Sequence, residues 1–402
     1  MSIDTNPEKI KELLERGVEQ VFDKKHLETQ LLSGKVLRIK HGVDPTGPKI
    51  HIGRAISLWK LRAFQDLGHK IVLIIGDFTA QIGDASDKEA MRKCLTEKEI
   101  KENMKDYQKQ IGKILDIKKM EFRYNSEWLD KLTGKDIVRL AMKFTAQQTI
   151  QRRNFKERWD SGNSIGLHEL LYPLLQGYDS VAVKANVEIG GYDQLFNLNT
   201  GRDMQRFFQQ EPQDIMVSKM LNGLDGRKMS TSWGNIITIV DEPKEMFGKI
   251  MSMKDEQIGD YFELCTQIPM GEVNQIKQSL QNQSINPRDL KVKLAFEIVK
   301  LYHGEKKAQE ANEEFEKVHG RGELPSEINE IELPETIKLS EMLYVSGAAS
   351  STSASRRLIE QGAVEIDNEK ITDWTKEIKV KNGMIIKVGK RNWFKAKIKS
   401  SK

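Results

Sequence analysis

The pattern of apolar and polar residues in the first quarter of the chain predicts a strand, a helix and a second strand in succession. The first strand covers 36–43 (VLRIKHGV), and a helix follows over 53–67, with apolar residues at near-helical spacing between Leu58 and Leu67. The segment 70–76 (KIVLIIG) is apolar without alternation, which is typical of a strand buried on both faces of a parallel sheet. Such a β-α-β unit has parallel strands and a right-handed crossover, and ligands bind beyond the carboxyl ends of its strands.

The pattern changes along the rest of the chain and predicts a division into domains. Helices and short strands continue to about residue 240, so 1–240 is expected to form one α/β domain with a helical arm over about 1–34. Residues 241–320 have a helical, strand-poor pattern. Two prolines and alternating acids over 321–336 indicate a linker. The short helical region and alternating segments of 337–402 indicate a small α+β module.

The size and composition of the chain favour a cytoplasmic protein without a membrane anchor. Its 402 residues are 38% hydrophobic, which is enough for a large core and for two or three domains. No apolar stretch approaches the roughly 20 residues of a membrane span, and the N-terminus reads as a polar helix and not as a secretory signal. The two cysteines, Cys94 and Cys265, lack metal-ligand spacing, which argues against a disulfide framework or a zinc site and fits a reducing cytoplasm.

Positive charge is concentrated at the C-terminal end of the chain. The net charge of the chain is +5, and 337–402 contains 14 Lys and Arg against 7 Asp and Glu, a net of +7, so the remainder is about −2 by difference. A basic segment on a near-neutral body indicates a polyanion partner. The alternative, a tail that is basic only for solubility, stays open at this point.

The first candidate site lies where the first strand passes into the helix, at 44–48 (DPTGP) and 51–54 (HIGR). A helix N-terminus that carries a glycine lets a phosphate approach bare backbone N–H groups. His51 and Arg54 would add donors to a phosphate whose charge grows during attack, although a single histidine in a turn is more often structural. The chain has no Walker loop and no GxGxxG, so its motifs do not indicate a P-loop NTPase or a dinucleotide-dependent dehydrogenase.

A second candidate is the segment 227–232 (RKMSTS), which follows 222–226 (NGLDG). Its glycines, lysine and hydroxyls suit a mobile loop that grips phosphates, but by itself it is equally typical of any exposed basic loop. Together the two motifs resemble the paired signatures of class I aminoacyl-tRNA synthetases, His-x-Gly-His early and Lys-Met-Ser-Lys-Ser late. Their order, their spacing and the β-α-β context agree with that resemblance.

A third constellation consists of Tyr172, Gln176 and Asp179, which share one face if their segment is helical. A phenol, an amide and a carboxylate that face one pocket can hold both an ammonium and a hydroxyl, and the alternative is a polar, solvated helix face. This spacing, together with 190–194 (GGYDQ) and 75–84 (IGDFTAQIGD), resembles tyrosyl-tRNA synthetases of the bacterial type. The resemblance runs from about residue 36 through the C-terminal module.

The C-terminal module resembles an S4 RNA-binding domain. Its segment 355–366 (SRRLIEQGAVEI) places Arg356 and Arg357 on a predicted helix next to a glycine turn, which suits recognition of RNA backbone and shape. A capping module with a basic surface is the alternative. The resemblance as a whole implies an α/β fold with a doubly wound parallel sheet, the Rossmann-like catalytic domain of class I synthetases. An α-helical anticodon-recognising domain over 241–320 and a small α+β S4-like domain follow it.

The resemblance also implies roles for individual residues. For tyrosine it implies Asp84, Tyr172 and Gln176 at the ammonium, Asp179 at the phenolic hydroxyl, and Gln194 at the carboxylate or carbonyl. For ATP it implies Gly191 and Asp193 at the ribose, the backbone of Met220 and Leu221 at adenine, and Asp44, Gly53, Lys228 and Ser230 elsewhere on the nucleotide. The groups implied for catalysis at the triphosphate are Thr46, His51, Arg54 and Lys228. The residues implied for tRNA are Lys88, Arg92, Arg356 and Arg357, and no residue is implied as a metal ligand.

Four positions depart from the family pattern. Arg54 replaces the second histidine of the early signature, and Thr231 replaces the second lysine of the late one, although Arg227 adds a charge just upstream. Ala85 interrupts a Gly-Asp-Pro-Ser stretch. Lys40 stands where many family members carry a tyrosine that touches the substrate phenol, and a longer bacterial branch of the family has lysine there. These changes bear on triphosphate geometry and phenol recognition more than on the reaction class, because lysine and arginine still donate to phosphate.

The activity implied by the resemblance is tyrosine–tRNA ligation. Such an enzyme activates tyrosine with ATP and Mg²⁺ to tyrosyl-adenylate and pyrophosphate, and then transfers tyrosine to the 3′-terminal adenosine of tRNA(Tyr). ATP is a substrate, no tightly bound cofactor is expected, and family analogy implies a homodimer. Two alternatives remain: a tryptophan–tRNA ligase, although an indole gives no reason for Asp179, and a non-catalytic synthetase-like RNA-binding protein, which would fit the four departures. Pyrophosphate exchange with each amino acid distinguishes the three.

Overall fold

The chain forms two compact units, Met1–Ala308 and Gln309–Lys402, each with its own β-sheet structure. The computed structural model describes residues 3–83, 95–151, 153–229, 233–321, 323–326, 328–389 and 392–399. The domain limits expected near residues 240, 320 and 336 stay predictions.

A sheet of six described strands lies at the centre of the first unit. The strands are β1 Val18–Phe22, β2 Arg38–Val43, β3 Lys70–Ile75, β4 Met120–Tyr124, β5 Val187–Gly191 and β6 Asp214–Ser218. Their order is β1-β6-β5-β2-β3-β4, and all neighbours are parallel except β1 and β6. The chain runs outward from β2 through β3 and β4 and then returns to the other side of β2 through β5 and β6. The expected doubly wound parallel sheet is therefore confirmed, with its switch point between β2 and β5, and β1 is an antiparallel addition at its edge.

Helices connect these strands and continue beyond them. They are α1 Pro7–Glu15, α2 Lys24–Leu32, α3 Ile52–Asp66, α4 Glu97–Met104, α5 Tyr107–Ile111, α6 Ser126–Leu129, α7 Gly134–Ala141, α8 Ala146–Ile150, α9 Arg153–Asp160, α10 Leu167–Val183, α11 Leu195–Phe207, α12 Pro243–Met251, α13 Ile258–Cys265, α14 Met270–Gln281, α15 Pro287–His303 and α16 Glu305–Phe315. The predicted β-α-β unit is confirmed, because α3 connects β2 to β3 and the two strands pair in parallel. Almost all of β3 is buried, as its unbroken apolar run predicts.

The N-terminal segment contains a strand where only helix was expected. β1 lies between α1 and α2 and pairs antiparallel with β6, with Val21 beside Met216. A strand of five residues at the edge of a sheet has a weak pattern of its own, and its partner is far away in the sequence. This finding corrects the expectation of a purely helical arm over about 1–34.

The second unit is a small α+β fold. Its strands are β7 Asn329–Leu333, β8 Thr336–Lys338, β9 Val364–Ile366, β10 Glu369–Lys370, β11 Glu377–Lys379, β12 Ile385–Val388 and β13 Asn392–Ile398, and its further helices are α17 Leu339–Val345 and α18 Thr352–Glu360. Five strands pair in the order β10-β9-β12-β13-β7, and β8 pairs with β11. Leu339, Leu343, Ile359 and Ile386 are among the fully buried residues of its core. The expected small α+β fold at this end of the chain is confirmed.

Part of the predicted linker over 321–336 belongs to this sheet. β7 pairs in parallel with β13, with Ile331 beside Ala396. The alternation of acidic and apolar residues that suggests a solvated linker is also the period-two pattern of a strand with one buried face, and Leu333 is fully buried.

Candidate active site

The ends of four parallel strands bring polar residues together at one edge of the first sheet. Asp44 follows β2, Gly76 follows β3, Asn125 follows β4 and Gly191 ends β5. The carboxyl ends of these strands share one edge, which is where open α/β sheets bind ligands. Residues predicted for both substrates are therefore neighbours in the fold.

Asp44 joins two of the predicted substrate groups. Its Oδ2 accepts a hydrogen bond from the Tyr172 hydroxyl at 2.8 Å, and its Oδ1 accepts one from Thr79 Oγ1 at 2.9 Å. Asn125 Nδ2 donates to the same Thr79 oxygen at 3.0 Å. A Cβ at Gly76 would overlap Asp44 Oδ1 and Thr79 Oγ1, so this close approach requires glycine. Tyr172 and Asp44, predicted for tyrosine and for ATP respectively, thus contact each other.

The start of α3 holds the early motif. His51 is the N-cap, and its Nδ1 accepts a hydrogen bond from the backbone N–H of Arg54 at 3.3 Å, so the ring proton lies on Nε2. Burial, helped by the charge of Arg54, lowers the pKa of His51 to about 4, and the ring is neutral at pH 7. The Arg54 guanidinium donates to the Tyr107 hydroxyl at 3.2 Å and to Thr46 Oγ1 at 2.5 Å. Donors from Thr46, His51 and Arg54 therefore surround a helix N-terminus, where anions are favoured.

The late motif lies against the early one. The backbone N–H of Ile52 donates to the carbonyl of Ile237 at 2.9 Å, which joins the start of α3 to the chain just after the late motif. A Cβ at Gly53 would lie 2.7 Å from the sulfur of Met229. The two motifs, far apart in the sequence, are adjacent in the fold, as the paired signatures require.

Asn235 forms hydrogen bonds with residues on the N-terminal side of the late motif and within it. Its Nδ2 donates to Asp225 Oδ1 at 2.9 Å and to the backbone carbonyl of Lys228 at 3.0 Å. Arg227 donates to Asp225 Oδ2 at 2.8 Å and lies over the ring of Trp233, 4.7 Å from its centroid. The positive charge of Arg227 is thus engaged within the loop, whereas the main chain at Lys228 is held in place.

α10 carries Tyr172, Gln176 and Asp179 on one face, as the spacing predicts. Asn197 connects this helix to the strand edge, because its Nδ2 donates to Gln176 Oε1 at 2.8 Å and to Gln194 Oε1 at 3.0 Å. The residues predicted for the ammonium and for the carboxylate of tyrosine are therefore held together by one amide.

Asp179 is a buried acceptor, with 3% of its surface exposed. Trp128 Nε1 donates to its Oδ1 at 2.8 Å. Burial raises the pKa of Asp179 to about 7, although the positive charge of Lys40 and the hydrogen bond from Trp128 act in the opposite direction. A carboxylate that is shielded from water in this way is stabilised by a hydrogen bond from a hydroxyl group on a bound ligand.

The residues predicted for the nucleoside lie at the ends of β5 and β6. A Cβ at Gly191 would be 2.6 Å from Asp193 Oδ1, so these two residues approach closely. After β6, Met220 is half-exposed and Leu221 is almost buried. Met220 is therefore accessible to solvent next to the carboxyl end of β6.

In the second unit, Arg356 and Arg357 lie on the exposed side of α18, and the Arg356 guanidinium stacks over the ring of Trp374 at 3.9 Å. Outside the described residues lie the predicted site residues Asp84, Lys88, Arg92 and Ser230 and the family departures Ala85 and Thr231.

Several contacting residues of the site are missing from the predicted site residues, among them Asn125, Trp128, Tyr107 and Asn197. Asn125 comes directly after the short strand β4, and Trp128 lies in α6, the next helix, so the strand-end rule is a signal for this segment. Asn197 lies three residues after Gln194, one helical turn away. No pattern in the sequence singles out Tyr107.

No metal cluster is found in the part of the chain that the structure describes, where no group of three or more His, Cys, Asp and Glu side chains could hold an ion. Among the same residues, no helix is both long and apolar enough to cross a membrane. Burial raises the pKa of the Cys265 thiol, which disfavours its reactive thiolate form.

Comparison with known proteins gives two family matches and many relatives. The family described as tRNA synthetases class I (W and Y) matches residues 32–320, and the tyrosine–tRNA ligase SYY-like C-terminal domain matches residues 322–396. The tyrosine–tRNA ligase of Thermotoga maritima is 44% identical over 390 residues, which is 97% of each chain. That of Carboxydothermus hydrogenoformans is 46% identical over 396 residues, which is 96% of each chain.

The fold of this chain resembles those of solved structures of tyrosyl-tRNA synthetases. A C-terminally truncated mitochondrial tyrosyl-tRNA synthetase of Aspergillus nidulans has a TM-score of 0.63 at 20% identity, over 78% of this chain and 93% of that one. A tyrosyl-tRNA synthetase of Archaeoglobus fulgidus, complexed with L-tyrosine, has a TM-score of 0.60 at 23% identity, over 76% of this chain and 99% of that one. At these identities the likeness concerns the fold.

A doubly wound sheet whose early motif caps a helix beside the late motif defines a class I aminoacyl-tRNA synthetase. The relatives, matched over nearly the whole chain, narrow the class. The chain belongs to the tyrosyl-tRNA synthetases of the bacterial type and is a tyrosine–tRNA ligase. This sets aside the tryptophan–tRNA ligase and the non-catalytic RNA-binding protein. The S4 resemblance of the C-terminal module stays a prediction.

Proposed function

We propose that the enzyme works in the cytoplasm and binds tyrosine and ATP side by side at the carboxyl edge of the first sheet. The hydrogen bond between Tyr172 and Asp44 supports this most directly, because it joins a predicted tyrosine ligand to a predicted ATP ligand. Reacting atoms must lie about 3–3.5 Å apart before reaction, so adjacent subsites are needed. Pyrophosphate exchange with each amino acid tests the proposal, and exchange that depends on an amino acid other than tyrosine would contradict it.

In this proposal the face of α10 forms the tyrosine subsite. Tyr172 and Gln176, with Asp84, hold the ammonium, Asp179 accepts the phenolic hydroxyl, and Gln194 contacts the carboxylate or carbonyl. The support is the shared bond of Gln176 and Gln194 to Asn197 together with the burial of Asp179.

The first chemical step joins the two substrates. A tyrosine carboxylate oxygen forms a bond to the α-phosphorus of ATP, and the bond to pyrophosphate breaks. Thr46, His51, Arg54 and Lys228 donate to the triphosphate, and His51 does so from its neutral ring through Nε2–H. Mg²⁺ enters as part of the ATP substrate. No side chain need act as a nucleophile, because positioning and charge stabilisation carry the rate.

The remaining roles concern the nucleoside and the tRNA. The residues proposed at the ATP nucleoside and phosphates are Asp44, Gly53, Gly191, Asp193, Met220, Leu221, Lys228 and Ser230. In the second step a hydroxyl of the terminal adenosine of tRNA attacks the tyrosyl carbonyl, and AMP leaves. The residues proposed for tRNA are Lys88 and Arg92 at the acceptor end and Arg356 and Arg357 on α18, and the helical region 241–320 is proposed to meet the anticodon.

Removing 322–402 should leave tyrosine activation nearly intact and weaken tRNA binding. The cut precedes β7, because β7 would lose its partner β13 if the chain ended at residue 336. The removed segment contains 14 Lys and Arg. Phosphate contacts by such residues release counterions, so the affinity and the log–log salt slope should decrease together. tRNA titrations at several salt concentrations, with pyrophosphate exchange in parallel, measure both effects.

Charging by the truncated enzyme should fail at low tRNA concentration and recover in part at high concentration, because the helical region is retained. An unchanged affinity and salt slope would show that the second unit is not an RNA-binding arm. Loss of pyrophosphate exchange would show that it is part of the catalytic fold.

We also propose a homodimer formed through the α7–α11 surface, defined here as Val138, Met142, Phe207 and Phe208. These side chains are 60%, 77%, 39% and 40% exposed, respectively. Lys143 lies over the ring of Phe207 at 4.6 Å, which brings the chain just after α7 to the end of α11. Contiguous exposed apolar surface of this kind marks interaction sites.

Phe208→Glu should convert the dimer into a monomer, because a charge within an apolar interface loses its water without gaining a partner. Light scattering measures the mass in solution. Ile285→Glu is the matched control, since Ile285 is also 40% exposed but lies between α14 and α15. A monomeric wild-type enzyme would exclude the dimer. The same mass for both variants would show that the contact does not lie on the α7–α11 surface.

A further inference from the structure

Lys40 is a fully buried lysine on β2, with none of its surface exposed. Its Nζ lies 2.8 Å from Glu188 Oε1, and it donates to Ser180 Oγ at 2.8 Å and to the backbone carbonyl of Gln176 at 3.1 Å. Three acceptors require three N–H donors, which only the protonated amine supplies. Lys40 is therefore an ammonium, and Glu188 is its counterion.

Glu188, on β5, is equally buried and equally well satisfied. Besides Lys40, it accepts hydrogen bonds from Gln176 Nε2 at 3.3 Å, from Ser180 Oγ at 3.1 Å and from Gln213 Nε2. A buried ion pair persists only when further hydrogen bonds satisfy both charges in this way. The pair joins β2 and β5 to α10, at the switch point of the sheet.

This network is directly connected to two of the proposed tyrosine ligands. It holds both the backbone carbonyl and the side-chain amide of Gln176, and Asp179 lies three residues further along α10. The charged groups that face Asp179 are Lys40 on β2 and Glu188 on β5. Asn125 and Trp128, which follow β4 in the chain, are hydrogen-bond donors to its carboxylate. Burial raises the pKa of Asp179, the positive charge of Lys40 lowers it, and the negative charge of Glu188 raises it further. The effect of Lys40 is larger than that of Glu188.

We propose that Lys40 is a positioning residue for tyrosine recognition, whose buried ammonium fixes Gln176 on α10 and stabilises the negative charge of Asp179, the acceptor for the substrate phenol. The proposal rests on the proposed role of Asp179. An ionised acceptor binds a hydroxyl more strongly than a protonated acid does, and phenylalanine brings no hydroxyl to donate to it. Preference for tyrosine should therefore be present above the pKa of Asp179 and be lost as the pH decreases through it.

Lys40→Met removes the charge and keeps an unbranched side chain. The acid limb of kcat/KM for tyrosine, measured by pyrophosphate exchange against pH, should move upward by about one pH unit, the smaller end of the effect of a close opposite charge. The ratio of tyrosine to phenylalanine activity at pH 7 should decrease by up to about tenfold, the change in ionised fraction that one unit allows, and recover in part at pH 9.

Two further variants keep the test decisive. Lys40→Met leaves Glu188 buried without a counterion and can prevent folding, so Lys40→Met/Glu188→Gln is measured in parallel. It removes both charges, and its acid limb should still move upward because the effect of Lys40 is the larger one. Lys60→Met is the matched control, since Lys60 is a buried lysine that donates to the carbonyls of Leu13 and Arg16 at the end of α1. It should lower stability without moving the acid limb.

An acid limb that stays in the wild-type position in the Lys40 variants, or an equal loss of activity at every pH, overturns the proposal. Asp179→Asn separates this result from a failure of the proposed function. If Asp179 is not the phenol acceptor, that variant keeps the wild-type ratio of tyrosine to phenylalanine activity. If Asp179 is the acceptor and only the role of Lys40 is wrong, Asp179→Asn loses the ratio while the Lys40 variants keep the wild-type pH profile.

Discussion

Asp179→Ala is expected to destroy most of the discrimination between tyrosine and phenylalanine. A site built to bond a substrate hydroxyl rejects the analogue that lacks it by about 10⁴–10⁵, and the upper value is the preference for tyrosine measured in this same family. Without the carboxylate, the tyrosine hydroxyl loses its charged acceptor, which should lower kcat/KM for tyrosine by about 10- to 100-fold. In this variant the phenylalanine ring no longer faces a buried carboxylate that it cannot donate to, so activity with phenylalanine should rise. Pyrophosphate exchange with both amino acids gives the ratio.

Asp214→Ala provides the control for this variant. Asp214 is also 3% exposed, but it begins β6 and accepts a hydrogen bond from His26, with 2.9 Å between His26 Nδ1 and Asp214 Oδ2. Its loss should lower the free energy of unfolding and leave the ratio of the two activities unchanged. Equal loss of both exchange activities in Asp179→Ala would show that Asp179 only supports the fold.

Arg54→Ala is expected to lower the rate of tyrosyl-adenylate formation by about 10- to 1000-fold, which brackets the effect of about 100- to 1000-fold for one lost donor at a developing charge. Arg54 lies in the first turn of α3, and it also holds the hydroxyl of Thr46, so two donors to the triphosphate are disturbed by one change. The affinity for tyrosine should change little, because the tyrosine subsite is on α10. Single-turnover activation and equilibrium tyrosine binding separate the two quantities.

Arg62→Ala tests whether the loss of any arginine from α3 has this effect. Arg62 donates to Asp66 at 2.8 Å and to the carbonyl of Ile114 at 3.0 Å, away from the early motif. Its activation rate should remain at the wild-type value. Normal single-turnover activation in Arg54→Ala would refute the role of Arg54 at the triphosphate. His51 and Lys228 would then be the donors that stabilise its charge.

The β-α-β unit could be predicted because each of its elements has a strong local pattern. β3 is an unbroken apolar run, α3 shows a helical period, and both differ from their neighbours within a few residues. The strand-end rule then places Asp44 and His51 at a ligand-binding edge without any knowledge of the rest of the sheet. The family resemblance added Tyr172, which the structure brings into contact with Asp44.

The elements that escaped prediction depend on distant partners. β1 and β7 are short edge strands, and their stability comes from pairing with β6 and β13, which no local window contains. The same is true of side chains: Trp128 and Asn197 become part of the site only because the fold brings them to Asp179 and Gln176. Tyr107 reaches Arg54 from a separate helix for the same reason.

The acidic strand β7 acts as an internal counterion of the second unit. Glu330 and Glu332 lie opposite Lys395 and Lys397 across the β7–β13 pair, and Lys395 Nζ is 3.5 Å from Glu330. Exposed pairs of this kind contribute little to stability, but a lysine that already has an anionic neighbour holds fewer mobile ions for a nucleic acid to displace. The thermodynamic valence of tRNA binding should therefore be smaller than the 14 basic side chains of 337–402 suggest. If the second unit binds RNA as proposed, this nearly neutral edge of the sheet should attract a polyanion less than the surface with Arg356 and Arg357 on α18 does.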